Sequence, residues 1–417
     1  MSISGSLFVA SNALDTIGNS ISVAGDNIAN VNTVGFKASR TEFADLMPTV
    51  SGQVESGNGV RLADVSKPFQ QGTLESTQQV TDLAIEGNGF FVLKNGSGDT
   101  FYSRAGEFHV DSSGNLVNPL NYLLQGSSGN IAVGAGTVLP AQATGSLGLV
   151  VNLDAAATTP SVAFPAGPDA SSSAWNSASN FSTITTIYDS AGAAHDLTFL
   201  FRKTTPNSWD YRVVAPRSEL DSSAPTSNEL RDLGAGGTLF FNPDGSLNPG
   251  GSTVSAIGPL NWVSGGSQTI SAGSLSFAGS VQYAQPSSLM SLTSDGSAAG
   301  SLTGISIDGQ GVITGRFSNG VSQTIDTISL ANFANVDDLY PAGDGLFTPT
   351  VESGSALVGT PGQNELGHIA AGSLEMSTVD LAHEFVSLIT SQRSFQVNSR
   401  VITVADQMYA DAANLKA

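Results

Sequence analysis

The sequence predicts a multidomain α plus all-β protein, its N- and C-terminal helices pairing as a coiled coil and two nested, discontinuous β-rich domains lying between them. Three observations carry this. Apolar residues near the N-terminus recur with a 3.5-residue period. A second helical pattern runs from Ser373 to Leu415 without Pro or Gly. Almost everything between alternates short β-type runs with Gly, Asn and Asp turn signals.

The N-terminal seam is Ile3, Leu7, Ala10, Leu14, Ile17, Ile21, Ala24 and Ile28. Alternating steps of four and three keep these residues on one helix face for nearly four heptads, and no Pro precedes Pro48. Such a helix reaches about 40 Å at 1.5 Å per residue. Its other faces carry mainly Ser, Asn, Thr and Gly, with Asp15 and Asp26 as the only charges. Gly5, Gly18 and Gly25 each cost about 1 kcal/mol relative to Ala in a helix interior. The helix is therefore weak alone and is expected to order when packed among other helices; the alternative is an ordinary core helix of a globular domain.

At the C-terminus two apolar stripes share one helical pattern. Leu374, Leu381, Phe385, Leu388, Phe395, Ile402 and Tyr409 keep a 3.5 repeat. Val379, Val386, Ile389, Val397, Val401, Val404, Met408 and Leu415 form the other. A helix apolar on two faces must bury two faces. One can take the N-terminal helix, and the second needs another domain or another copy of the chain.

Between the ends, AIEGNGFFVL from Ala84 reads as strand, Gly-rich turn and strand, and Asp111-Ser-Ser-Gly114 as a hairpin turn. From about Gly145 the composition shifts to Ala, Thr, Pro and Ser, marking a linker into a unit that contains Trp175, Trp209 and Trp262 and so has a core of its own. Further turns fall at Asp189-Ser-Ala-Gly192, Pro243-Asp-Gly245 and 308–311, and the unit ends near Gln285-Pro286. The expected division is 1–29 with 373–417 as helical core, 30–75 with 362–372 as extended connections, 76–148 with 286–361 as inner β domain, and 149–285 as an inserted outer β domain.

The formal net charge of −20 accompanies only 12% charged residues, so it reflects scarce Lys and Arg. That disfavours nucleic-acid binding by a basic patch and docking to an anionic membrane. The absence of Cys excludes disulfides, thiolate nucleophiles and Cys-ligated zinc. MSISGSLFVASNALD has neither a positive n-region nor a continuous apolar h-region, so no Sec-type signal is expected. No window approaches the roughly 20 apolar residues of a membrane span.

Catalytic and metal patterns are missing where they would be sought. His109, His195, His368 and His383 are far apart, and His383-Glu384-Phe-Val-Ser387 lacks the second His of a zinc protease motif. Neither a GxSxG elbow nor the Gly-Lys of a P-loop occurs, and VGAGTVL from Val133 reads as a turn. The Asp-Gly pairs at Asp244, Asp295, Asp308 and Asp344 lack calcium-loop spacing and are explained as hairpin turns. No catalytic, cofactor-binding or metal residue is assigned.

Ala29-Asn-Val-Asn-Thr-Val-Gly-Phe-Lys37 resembles the N-terminal signature of the bacterial flagellar axial proteins, the rod and hook family. GNGFFVL from Gly87, YSRAGEFHVDSSGNLVN from Tyr102, YLLQG from Tyr122 and the run from Ser373 to Met408 agree with that family in order. Phe395 and Val397 stand where the family more often has Tyr and Ala. The long middle insertion, with FSTITTIYDSAGAAHDLTFLFRK and ISLANFANVDDL, is similar to the hook branch rather than to the short rod members.

The resemblance implies a self-assembling structural subunit, not an enzyme, whose copies stack into a curved tube that transmits torque from rod to filament. Its implied partners are copies of itself, a distal rod protein, the hook cap, the hook–filament junction protein and the flagellar type III export apparatus. It implies an extracellular place in the flagellum, reached without a cleaved signal. A distal rod protein is the alternative within the family, and a secreted β-rich adhesin or enzyme with helical oligomerisation ends the alternative outside it. Ala29, Asn30, Asn32, Thr33, Gly35, Phe36 and Lys37 then read as a hinge. The two Asn tolerate left-handed backbone, Gly35 permits close approach and Phe36 anchors the turn.

Overall fold

A computed structural model describes residues 3–47, 49–51, 54–56, 58–134, 136–221, 223 and 229–414. The chain divides into two compact units. The first comprises Met1–Thr137, Gly304–Gly315 and Ser322–Ala417, the second Val138–Thr303 and Arg316–Val321. The second unit thus begins earlier and ends later than the expected insertion of 149–285. Strand Val138–Leu139 pairs with Gly300 and Ser301, which draws both flanks into it.

In the first unit the helices Ile3–Ala29 and Leu381–Asn414 pack together. The C-terminal helix starts later than the sequence pattern allows. Leu374, expected on the helix, lies on strand Ser373–Glu375, which pairs with Leu74–Ser76. Asp380 sets the helix start, its carboxylate accepting the N–H groups of Ala382 and His383. Val379 accordingly precedes the helix. Leu415 lies outside the described residues.

Beyond the helices, Arg40–Asp45 pairs with Val60–Ser66, and Leu83–Glu86 pairs with His368–Ala371. A ten-stranded sheet follows, with Phe90–Lys94 at its centre. That strand is FFVLK and its first four residues are buried, so both of its faces meet core. Phe90 and Val92 join Tyr102, Ala331, Phe333 and Phe347 on one side. Phe91 meets Phe108 edge to face at 5.3 Å.

The second unit has a five-stranded antiparallel sheet in the order Asp169–Ser171, Glu229–Phe240, Ser208–Pro216, Ala194–Thr205, Phe181–Tyr188. Trp209, Tyr211, Phe199, Phe201 and Phe277 build its main core, which Trp262 also joins. Trp175 fills a smaller one with Leu200 and Val214.

One turn chemistry recurs through both units. At Asn95, Asp111, Asn118, Asp189 and Asp308 the side-chain oxygen accepts the N–H groups two and four residues on. The residue three positions on is Gly98, Gly114, Asn121, Gly192 or Gly311, each at positive φ. Asp344 and Gly345 form a tight hairpin with both φ values positive. Asp295 differs from the expected hairpin turn: its carboxylate accepts the N–H groups of Gly145 and Ser146, about 150 residues away. There it closes the end of the Leu147–Asn152 and Ser288–Ser294 pair.

No helix among the described residues is long and apolar enough to cross a membrane.

Candidate assembly surface

The N-terminal helix ends in a hydrogen-bonded knot. The Asn30 N–H reaches the carbonyls of Asp26 and Asn27, its side-chain amide returns to Asp26, and Thr33 Oγ1 donates to Asn30 Oδ1. Ala29 is the last helical residue and is exposed, as is Asn32. Gly35 adopts φ +70° and donates to the Glu375 carbonyl. A Cβ there would come within 2.6 Å of the Ala105 nitrogen, so both its conformation and the close approach of Arg104 and Ala105 require glycine.

The residue that anchors this junction most deeply is the one after Phe36. Phe36 is half-buried, whereas Lys37 is sealed from water. Lys37 Nζ donates to the Gln70 carbonyl and to Glu375 Oε1, each at 2.6 Å. Glu375, fully buried, also accepts the Gly72 N–H at 2.8 Å. Arg104 Nη1 lies 3.6 Å from Glu375 Oε2, and the guanidinium rests over the Phe90 ring at 5.3 Å. Burial pulls the Lys37 ammonium below its ordinary lysine value, and its hydrogen bond to Glu375 opposes that shift.

A second buried polar group joins the two helices. Asn27 Nδ2 donates to the Ser39 carbonyl and to Glu384 Oε1, while its Oδ1 accepts the Ser39 N–H. Three of its four hydrogen-bonding positions are filled. Asn27, Ser39, Arg104 and Glu375 had no signal in the sequence spacing. A trace existed only for Lys37, the first cation of a Lys- and Arg-poor chain, directly after Phe36.

On the N-terminal helix Ala10 and Ala24 are buried, and Leu7, Leu14, Ile17, Ile21 and Ile28 are half-buried. The Ile3 backbone is helical; its side chain falls outside the description. The C-terminal helix divides by face. The side carrying Glu384, Leu388, Ser391, Asn398, Ile402 and Ala405 is buried or half-buried, and Glu384 bonds Asn27 across the helix pair. This side is largely polar or small. Leu381, Phe385, Phe395 and Tyr409 of the expected stripe nonetheless stay exposed. A 3.5 repeat drifts about 20° per heptad around a straight helix, so one stripe cannot stay centred on its partner.

The other stripe is turned away. Val386, Ile389, Val397, Val401, Val404 and Met408 are 40–64 % exposed. Phe8 on the N-terminal helix is likewise exposed. Isolated surface apolar residues need no explanation, whereas a row along one helix face is the kind of patch found at interaction sites.

Known proteins agree with this architecture. Family models match at 7–37 (flagella basal body rod protein), 84–162 (flagellar hook protein FlgE/F/G D1 domain), 152–297 (flagellar basal body protein FlaE D2 domain) and 370–415 (flagellar basal body rod FlgEFG protein C-terminal). The flagellar hook protein FlgE of Salmonella typhimurium is 34% identical over 421 residues, covering 98% of this chain and 99% of that protein. The flagellar hook protein FlgE of Treponema pallidum is 33% identical over 469 residues, covering 99% of each. Among solved structures, the flagellar hook protein FlgE2 of Helicobacter pylori aligns with TM-score 0.51 at 14% identity, over 72% of this chain and all of that one, which supports the fold. Identity sustained from one terminal helix to the other, together with family matches at both ends and in the β-rich middle, places the chain in the flagellar hook protein FlgE family.

Proposed function

We propose that this chain is a structural, non-enzymatic subunit that polymerises through its terminal helix pair into the curved, flexible tube of the flagellar hook, the joint that carries torque from rod to filament. The observation that supports this best is the exposed stripe from Val386 to Met408 on a helix whose opposite side already has a partner. Its occupant is the helix pair of a second copy. Burying such a stripe stabilises by about 0.7–1.5 kcal/mol per side chain, half the full-burial value because each is already about half covered, and the gain repeats at every subunit. The exposed face of the N-terminal helix is suited to close neighbours as well, since a Cβ added at Gly18 or Gly25 meets nothing within 4 Å in the single chain.

In this reading the seam Ile3 to Ile28, the C-terminal stripes and the 29–37 junction are the assembly residues. The distal rod protein, the hook cap, the hook–filament junction protein and the type III export apparatus are the further partners. The chain is exported without a cleaved signal and works outside the cell. The expected division into a helical core, extended connections and two β domains belongs to the same proposal, with the Trp-bearing unit taking the wider bounds found above.

Electron microscopy of the purified protein after addition of a precipitating salt tests it. Short curved tubes are expected. Straight, stiff tubes would favour a distal rod protein, and a hydrolytic activity or glycan affinity lost with one carboxylate substitution would favour a secreted enzyme or adhesin.

A further inference from the structure

The second unit contains a buried titratable group that polymerisation through the helices does not use. His195 follows the Asp189 turn at the start of strand Ala194–Thr205, and its ring is buried. It stacks on Trp262 with centroids 3.7 Å apart and planes 6° from parallel. Nδ1 lies 2.7 Å from Glu219 Oε2, and Nε2 lies 3.2 Å from Asp189 Oδ2. Carboxylate oxygens only accept, so both contacts are hydrogen bonds only while both ring nitrogens carry protons.

The two carboxylates differ in freedom. Asp189 is fully buried and fixed: its Oδ1 accepts the Ala191 and Ala193 N–H groups, and Ser264 Oγ donates to its Oδ2. Burial works to raise its carboxyl, but the turn N–H groups and the His195 bond outweigh burial and hold it below the usual carboxylate range. Glu219 is 35% exposed and rides on the four-residue helix Arg217–Leu220. When the ring gives up one proton, the remaining proton stays on Nε2. Turning a lone pair toward the buried Asp189 anion costs more than turning one toward a carboxylate that water can solvate. Nδ1 then faces Glu219 lone pair to lone pair, and Glu219 turns to solvent.

Glu219 does not hold itself alone. Its backbone carbonyl accepts the Val263 N–H at 2.8 Å, next to Trp262. Among the described residues, the charged groups bonded to the ring are Asp189 and Glu219; the hairpin packed on its flat side contributes the uncharged Trp262 and Ser264.

We propose that His195 is a proton-operated clasp that ties the Glu219 side chain to the Asp189 turn when doubly protonated and loosens the Arg217–Leu220 helix when it loses one proton, leaving that helix held by Arg217 on Glu229 and Asp169 and by the Val263 N–H on the Glu219 carbonyl. The clasp works inside this unit and is independent of how the terminal helices assemble. Loosening it lets a surface segment move while the five-stranded core stays packed.

The test uses the full chain. Ring nitrogen NMR, assigned with His195→Gln, and amide exchange at 217–220, corrected for intrinsic base catalysis, are followed over roughly pH 5 to 8. Both ring nitrogens should carry protons at the acid end and only Nε2 at the alkaline end, with exchange at 217–220 accelerating by about tenfold across the same midpoint. Glu219→Gln should remove the exchange step and leave the sheet amides protected. A ring with a single proton across the whole range, an exchange rate that ignores the ring's titration, or a step that survives in Glu219→Gln would each overturn the clasp.

Discussion

Lys37 Nζ lies 2.6 Å from Glu375 Oε1 across 338 residues of sequence, and both side chains are sealed from water. The pair fastens the exit of the first helix to the strand that leads into the last, so the two chain ends fold as one piece. A buried ion pair is weak evidence of net stability, but removing one partner leaves an uncompensated charge. Lys37→Met is expected to cost about 3–5 kcal/mol, read from urea unfolding. The Lys37→Met, Glu375→Leu double variant should recover only part, because Arg104 then loses its carboxylate and the Gly72 N–H its acceptor. A single variant within about 1 kcal/mol of the parent would show that the pair does not hold the junction.

That junction also shows how far the sequence could be read. Periods and turns are local, and they were legible. The heptad seam lies on a helix of 27 residues, with Ala10 and Ala24 buried on it. Asp111, Asp189 and Asp308 make the turns that an Asp followed by Gly three residues later predicts. Long-range pairings leave no such mark. Nothing in the spacing joins Lys37 to Glu375, Asn27 to Glu384 or Asp295 to Gly145. The helical pattern through Leu374 misleads for the same reason. Residues 373–375 are compatible with a helix locally, but Glu375 reaches Lys37 and Gly72 only from a strand paired with Leu74–Ser76. An apolar side chain is the usual anchor of such a turn, which favours Phe36 in the sequence; the lysine beside it has the more complete set of partners.

In the second unit the acid dependence follows from Asp221. Ser223 donates to its carboxylate through the side-chain hydroxyl at 2.6 Å and the backbone N–H at 2.9 Å, with Arg217 and Arg231 on the other oxygen. The Ser223 side-chain bond is the largest cause holding its carboxyl at about 2, against the usual 3.8. The folded value is depressed, so the contribution is complete above about 3.8 and is lost as pH falls through about 2. Asp169, held down first by its hydrogen bond from Arg231, loosens in the same direction. Thermal unfolding at stepped pH should show stability falling across this window, and Asp221→Asn should flatten the fall. An unchanged acid profile in that variant would remove Asp221 from the account.

The two sides of the C-terminal helix make opposite predictions, which separates assembly from folding. Val397 faces away from the N-terminal helix and is well exposed, so Val397→Asp adds a charge that water can solvate in the single chain. Folding stability should change by no more than about 0.5 kcal/mol, as for ordinary surface substitutions. In a polymer the same aspartate is buried against a neighbouring copy, and its desolvation recurs at every subunit. Tube formation should be lost while the unfolding midpoint stays put. Ala405 is the reverse case: it is buried on the side of the helix that carries Glu384. Ala405→Asp should therefore destabilise the helix pair in the monomer, by several kcal/mol for an unpaired buried carboxylate, before any assembly is attempted. Sedimentation and thermal unfolding on the two variants distinguish the cases. If Val397→Asp still forms tubes, the outward stripe is not the contact between copies, and the exposed Phe385 and Phe395 become the surface to test.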